Sequence, residues 1–174
     1  GVSTNEEFVQ KVIELLKSDP VVLGYHDLAC HMYGPTKCFM TIHVEVDANQ
    51  KILDVHDSID NLERKVHEQF GIDLTIHMDP IVIDNEVIND LRQRVKGAIK
   101  EIHPKLSMHD FRVVVGTTHI NIIFDLVRPY KFEISDETIL RGLQEKIADD
   151  TTTYYFVIHF EHQFGELEDI SEEY

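Results

Sequence analysis

Apolar residues recur along this chain with two spacings, the helical one of about 3.6 residues and the strand one of two. Phe8, Val9, Val12, Ile13, Leu15 and Leu16 follow the helical spacing, and Asp19-Pro20 stops the helix. Thr4-Asn5-Glu6-Glu7 has the Thr-x-x-Glu form of a capping box and predicts the helix start. Val21 to Met32 reads as a strand, Gly34-Pro35-Thr36-Lys37 as a turn, and Cys38 to Asp47 as a second strand. In that second strand Ile42, Val44 and Val46 make an apolar face, while Thr41, His43, Glu45 and Asp47 make a polar one. A second helix is predicted from Leu53 to Phe70, with Val55, Ile59, Leu62, Val66 and Phe70 on one stripe and Gly71 closing it. Leu74, Ile76 and Met78 then alternate with Asp73, Thr75, His77 and Asp79 in a third strand. Pro80, which has no N–H for a ladder, is expected to end it.

The same order recurs. Val87, Ile88, Leu91, Val95, Ala98, Ile99 and Ile102 predict a third helix ended near Pro104. His109 to Val115 and His119 to Val127 read as strands around a Gly116-Thr117 turn. Ser135-Asp136-Glu137 caps a fourth helix bearing Ile139, Leu140, Leu143 and Ile147, and Tyr154 to Glu161 is the last strand. His26-Asp27-Leu28 falls on His109-Asp110-Phe111, Gly34 on Gly116, Ile42-His43 on Phe124-Asp125, and Ile76-His77-Met78-Asp79 on Ile158-His159-Phe160-Glu161. The offset stays at 82 or 83 residues. A steady offset of this kind predicts an internal duplication of one α-β-β-α-β unit. The expected class is α+β, with a first unit over 1–82, a second over 83–165, and an acidic, patternless tail over 166–174 that should fray.

The chemistry gathers on one predicted surface. Strand residues two apart share a face, so His77 and Asp79 stand side by side, as a surface ion pair or as two ligands of one metal ion. An α-β-β-α-β chain packs its helices on the apolar face of a three-stranded sheet, and the polar faces of all three strands then look the same way. His26, His43, His77 and Asp79 would share that face, and His56 at the start of the second helix is a fifth candidate. Three imidazoles and a carboxylate suit zinc at four-coordinate geometry. The plain alternative is a solvated polar sheet face on which histidines sit.

Composition narrows the partners. The net charge is −16, from 32 acidic and 16 basic residues, which argues against nucleic acid or an anionic membrane surface and suits a cation. Eleven histidines are many for 174 residues. Cys30 and Cys38 are too few for a disulfide framework; they could pair across a hairpin, bind a soft metal or lie buried as free thiols. No secretory signal and no long apolar run stand out.

Gly24-Tyr25-His26-Asp27-Leu28, Tyr33-Gly34-Pro35, Ile42-His43-Val44-Glu45, Asp54-Val55-His56 and Ile76-His77-Met78-Asp79-Pro80 resemble the C-terminal cytoplasmic domain of cation diffusion facilitator transporters. The resemblance covers residues 1–80 in identity, order and spacing. It implies a ferredoxin-like, metallochaperone-like α-β-β-α-β fold that forms a homodimer and binds divalent metal ions at the dimer interface, on the cytoplasmic side of the cell membrane. It implies zinc, with manganese, cobalt, cadmium, nickel and iron as alternatives, and a transmembrane domain of the same protein as partner. By position His26, His43 and Asp79 resemble ligands of one ion and His77 a ligand of a second. Asp79 resembles a bridge between the two, and His56 a ligand donated by the partner chain. Gly1-Val2-Ser3 resembles the stretch just after the last membrane helix, which predicts an excised domain.

Residues 84–174 depart from the commonest pattern of that family. His109, His159 and Glu161 keep metal-binding chemistry, whereas Asp125 replaces a histidine and Thr138 lies where His56 would be, so the second unit reads as a decayed structural copy, with a second metal site as the alternative; His119 and Asn121 are polar positions with no assigned role. The function expected is metal sensing and dimerisation in a divalent-cation efflux transporter, and a free-standing zinc buffer or metallochaperone is the alternative. Zinc could activate water, but the sequence offers no further base, nucleophile or pocket-forming loop, so an enzyme is not expected.

Overall fold

The computed structural model describes residues 2–83 and 85–163. The elements run α1 (Val2–Lys17), β1 (Gly24–Tyr33), β2 (Lys37–Asp47), α2 (Ile52–Phe70), β3 (Asp73–Ile81), α3 (Glu86–Ile102), β4 (Ser107–Val115), β5 (Ile120–Arg128), α4 (Asp136–Ile147) and β6 (Tyr154–His162). The fold is mixed α+β, and the chain divides after Ile81 into two compact units.

In the first unit β2 is the middle strand, antiparallel to β1 and parallel to β3. The β1–β2 connection is short and turns at Gly34, whose φ of 78° is open to glycine at no steric cost. A parallel pair needs a long crossover, and α2 supplies it between β2 and β3. The helix stops at Gly71, which takes a left-handed φ of 66° and donates its N–H to the His67 carbonyl at 2.8 Å. Val55, Ile59, Leu62 and Val66 of α2 join Val12 and Leu16 of α1 over Met40, Ile42, Val44, Val46, Leu74 and Ile76. Burying each such side chain stabilises the unit by roughly 1.5–3 kcal/mol. Both helices thus cover one face of the sheet, and the polar residues of β2 and β3 occupy the other.

Three expectations at the element ends are corrected. Helix α1 begins at Val2, so the Thr4-to-Glu7 pattern lies inside the helix and does not mark its start. Strand β1 begins at Gly24, because Val21 and Val22 belong to a turn in which the Asp19 carboxylate accepts from the Val21 N–H at 2.9 Å. Pro80 does not end β3, which continues to Ile81. The Ile81 carbonyl accepts from Ala48 and so faces β2, which turns the missing N–H of Pro80 to the opposite side. The Ile76 N–H, in the same phase as Pro80, is taken by the Glu63 carboxylate at 2.8 Å.

A bulge interrupts β1. His26 pairs with His43 and Ala29 with Thr41, leaving Asp27 and Leu28 opposite Ile42 alone. Asp27 takes φ 50°, a left-handed conformation that a short polar side chain tolerates. The extra residue shifts the alternation by one, so Tyr25, Leu28 and Cys30 all pack toward the core while His26 keeps the opposite face.

The second unit has β5 in the middle, antiparallel to β4 and parallel to β6, with α3 and α4 over Val113, Ile122, Phe124 and Leu126. Ser135 caps α4 as expected, accepting from the Thr138 N–H at 3.1 Å, and Asn85 caps α3. Strand β4 carries the same bulge: His109 pairs with Asp125 and Arg112 with Ile123, and Asp110 takes φ 56°. His119 belongs to the β4–β5 turn, where its carbonyl accepts from Gly116 at 2.9 Å and its ring meets the edge of Tyr155; Asn121 pairs with Val114 and Tyr155 within the sheet. The acidic segment 166–174, expected to fray, lies outside the described residues.

Candidate metal centre

Register builds the site. His26 on β1 lies opposite His43 on β2, and His43 lies opposite His77 on β3, so one row across the sheet carries three imidazoles. The rings stack, with centroids 4.9 Å apart from His26 to His43 and 5.0 Å apart from His43 to His77. Asp79 stands one step further along β3, opposite Glu45. Its Oδ2 lies 3.0 Å from His26 Nε2 and 3.0 Å from His43 Nδ1. Ligand atoms of His26, His43 and Asp79 all lie within 4.8 Å of one another.

Of the five residues singled out in the sequence, three therefore converge. His77 is exposed, at the end of the row and stacked on His43. His56 is exposed on the second turn of α2, outside the cluster.

One participant is missed by the sequence reading. Glu45, on the polar face of β2, is only 2% exposed. Its Oε2 accepts from His26 Nδ1 at 2.9 Å. The space for its carboxylate comes from its register partner Gly24, where an added Cβ would lie 2.9 Å from Glu45 Oε1. The available signal was spacing, since Glu45 lies two residues from His43 on one strand face.

The electrostatics follow from these contacts. Burial opposes charging of His26, but its hydrogen bonds to the Asp79 and Glu45 carboxylates and their negative charges outweigh it, raising its pKa from 6.5 to about 9. In the metal-free protein His26 is therefore an imidazolium donating from both nitrogens. Burial likewise opposes ionisation of Asp79, yet the hydrogen bonds from His26 and His43 and their charge hold its carboxyl below the usual range. Replacing the His26 Nε2 proton by a cation leaves Nδ1–H on Glu45, the carboxylate–histidine arrangement that fixes tautomer and ring orientation in metal sites. The donor set of imidazole nitrogens and a carboxylate oxygen fits a zinc-type ion with positions left for further ligands.

Cys30 and Cys38 are half-buried on the core side of the β1–β2 pair, with their sulfurs 3.1 Å apart. Among the described residues no helix is long and apolar enough to cross a membrane.

Residues 4–81 match the family described as cation efflux protein, cytoplasmic domain. The chain is 38% identical over 72 residues to the cation-efflux pump FieF of Salmonella typhimurium, covering 41% of this chain and 24% of the pump. It is 35% identical over 75 residues to the FieF of Yersinia enterocolitica, covering 42% of this chain and 25% of that pump. It thus spans about a quarter of the length of the curated relatives it matches. Among solved structures it is similar to the metal-bound C-terminal domain of the CzcD transporter from Thermotoga maritima, at 25% identity and a TM-score of 0.42, over 44% of this chain and 91% of that one. The matched segment coincides with the first compact unit and carries His26, His43, Glu45, His56, His77 and Asp79. The first compact unit is therefore similar, over residues 4–81, to the cytoplasmic domain of cation efflux proteins.

Proposed function

We propose that the first unit senses a divalent cation, zinc first among them, and dimerises on binding it, as the cytoplasmic regulatory domain of a cation efflux transporter. The observation that carries this reading is the convergence of His26, His43 and Asp79, buttressed by buried Glu45. Three donors from one chain leave a four-coordinate ion incomplete, and His77 and His56 stand exposed outside the cluster. A second copy facing this sheet would bring its own His56 to the ion, with Asp79 bridging to a further ion on His77.

The mechanism is electrostatic and mechanical. Two chains of net charge −16 repel when metal-free, and a dication between facing carboxylates offsets that repulsion. A ligand shifts an equilibrium only by its differential affinity for the two states, and a site completed only in the closed dimer has that property. The cation is cargo for the membrane part and effector here, and no reaction is catalysed. Supporting the transporter reading over a free-standing buffer is the match of this segment to pumps about four times as long as the aligned stretch.

The second unit is read as a tandem copy of the first. Element order, strand order and the left-handed aspartate of the bulge at Asp27 and Asp110 recur in both. X-ray scattering and sedimentation of the chain with and without saturating zinc test the sensor reading. A more compact dimer is expected with zinc and a looser one without; identical profiles that leave zinc bound would overturn it.

A further inference from the structure

On the polar sheet face of the second unit, β5 and β6 bring another donor set together. His109, Asp125 and His159 lie in one register row, as His26, His43 and His77 do in the first unit. Glu161 follows His159 by two residues, as Asp79 follows His77. His159 Nδ1 lies 3.8 Å from Asp125 Oδ1 and 3.7 Å from Glu161 Oε1. Those separations are too long for hydrogen bonds. They are close to the spacing of about 3.4 Å between donors held tetrahedrally at about 2.1 Å from one ion.

We propose that Asp125, His159 and Glu161 form a second divalent-cation site, harder in character than the first. The donor atoms lie within 4.8 Å of one another. Aspartate in place of the middle histidine changes the set to two carboxylates and one imidazole, which moves preference from zinc and copper toward manganese and ferrous ions. His109 lies outside this set, and its Nε2 engages Ser107 Oγ at 2.9 Å. The bulged strand instead brings the Asp110 side chain against Asp125, a further carboxylate at the edge of the site. Arg112, whose Nη1 donates to the Asp110 carbonyl at 2.7 Å, is the nearby cation that a metal competes with. His159 is 72% exposed, so water completes the coordination and binding is weaker than at the first site.

The test uses the full chain and manganese(II) alone as probe, read by paramagnetic broadening of backbone amide signals. The expected result is broadening centred on residues 125, 159 and 161 that is lost in both His159→Ala and Glu161→Gln, with at least a tenfold weaker manganese affinity there by calorimetry. Both side chains are exposed, so these variants keep the fold, which a thermal melt checks. Manganese broadening that is absent from these residues, or that persists in both variants, would overturn the proposal. The readout is local to the second unit, so failure here and failure of zinc sensing by the first unit are distinguishable.

Discussion

Glu45, His26 and Gly24 depend on one another. Glu45 lies buried where Gly24 leaves room and where His26 Nδ1 donates to its Oε2, and the pair presents His26 Nε2 to the site. Glu45→Gln keeps the shape and removes the charge. The expected outcome is a 10–100-fold loss of zinc affinity by calorimetry with little change in secondary structure. The same contact sets a pH dependence. His26 has its pKa raised to about 9 in the folded, metal-free state, so the stability it contributes is complete below pH 6.5 and is lost as pH rises through about 9. The Asp79 shift is the other side of that pair; its contribution is present above the ordinary carboxylate range and lost as pH falls below it. Thermal melts of metal-free protein between pH 6.5 and 10 should therefore fall with pH, and Glu45→Gln should flatten the slope. A zinc ion on His26 Nε2 would displace its proton, so binding at pH 7 should release close to one proton from this residue. Calorimetry in buffers of different ionisation enthalpy would count it.

At the scale of the element, the bulge in β1 decides which way the candidate ligands look. Tyr25 and Leu28 both reach the core because Asp27 takes a left-handed turn between them, and His26 stays on the polar face opposite His43. Glycine fits that conformation without strain, whereas a β-branched residue does not. Asp27→Gly should be close to neutral, and Asp27→Val should cost about 1–3 kcal/mol in chemical denaturation. A bulge slipped by one residue would also turn His26 away from Asp79, so Asp27→Val should weaken zinc binding as well. An Asp27→Val protein as stable as the parent would remove the bulge from this account. Alternation along Val21 to Met32 was legible as a strand, but the bulge was not. A one-residue insertion looks in sequence like an imperfect alternation, and only pairing with β2 shows which residue is extra.

For the whole molecule, two separate apolar clusters stand behind the two units, one around Ile42, Leu62 and Val66 and one around Phe124, Leu126 and Leu143. A ligand that binds the folded form protects what it holds together. One equivalent of zinc should slow amide hydrogen exchange in 24–47 and 73–81 by tenfold or more while 120–128 and 136–147 exchange as before. Equal protection in both units would contradict a first site of higher zinc affinity.

Periodicity, with caps and turns, placed the ten elements of the described residues in order, since burying one stripe or one face per element is a local demand written into residue spacing. It also placed His43, His77 and Asp79 on one sheet face, because strand alternation has a fixed period. Boundaries were decided otherwise: the start of β1 at Gly24 and the end of β3 at Ile81 are set beside backbone hydrogen bonds of Val22, Leu23 and Ala48 that no spacing announces. So was membership of the site. His43 meets Asp79, and Glu45 vanishes from solvent, through pairing across 36 and 19 residues of chain. Register, bulge and burial are properties of strands brought side by side, and those belong to the folded chain.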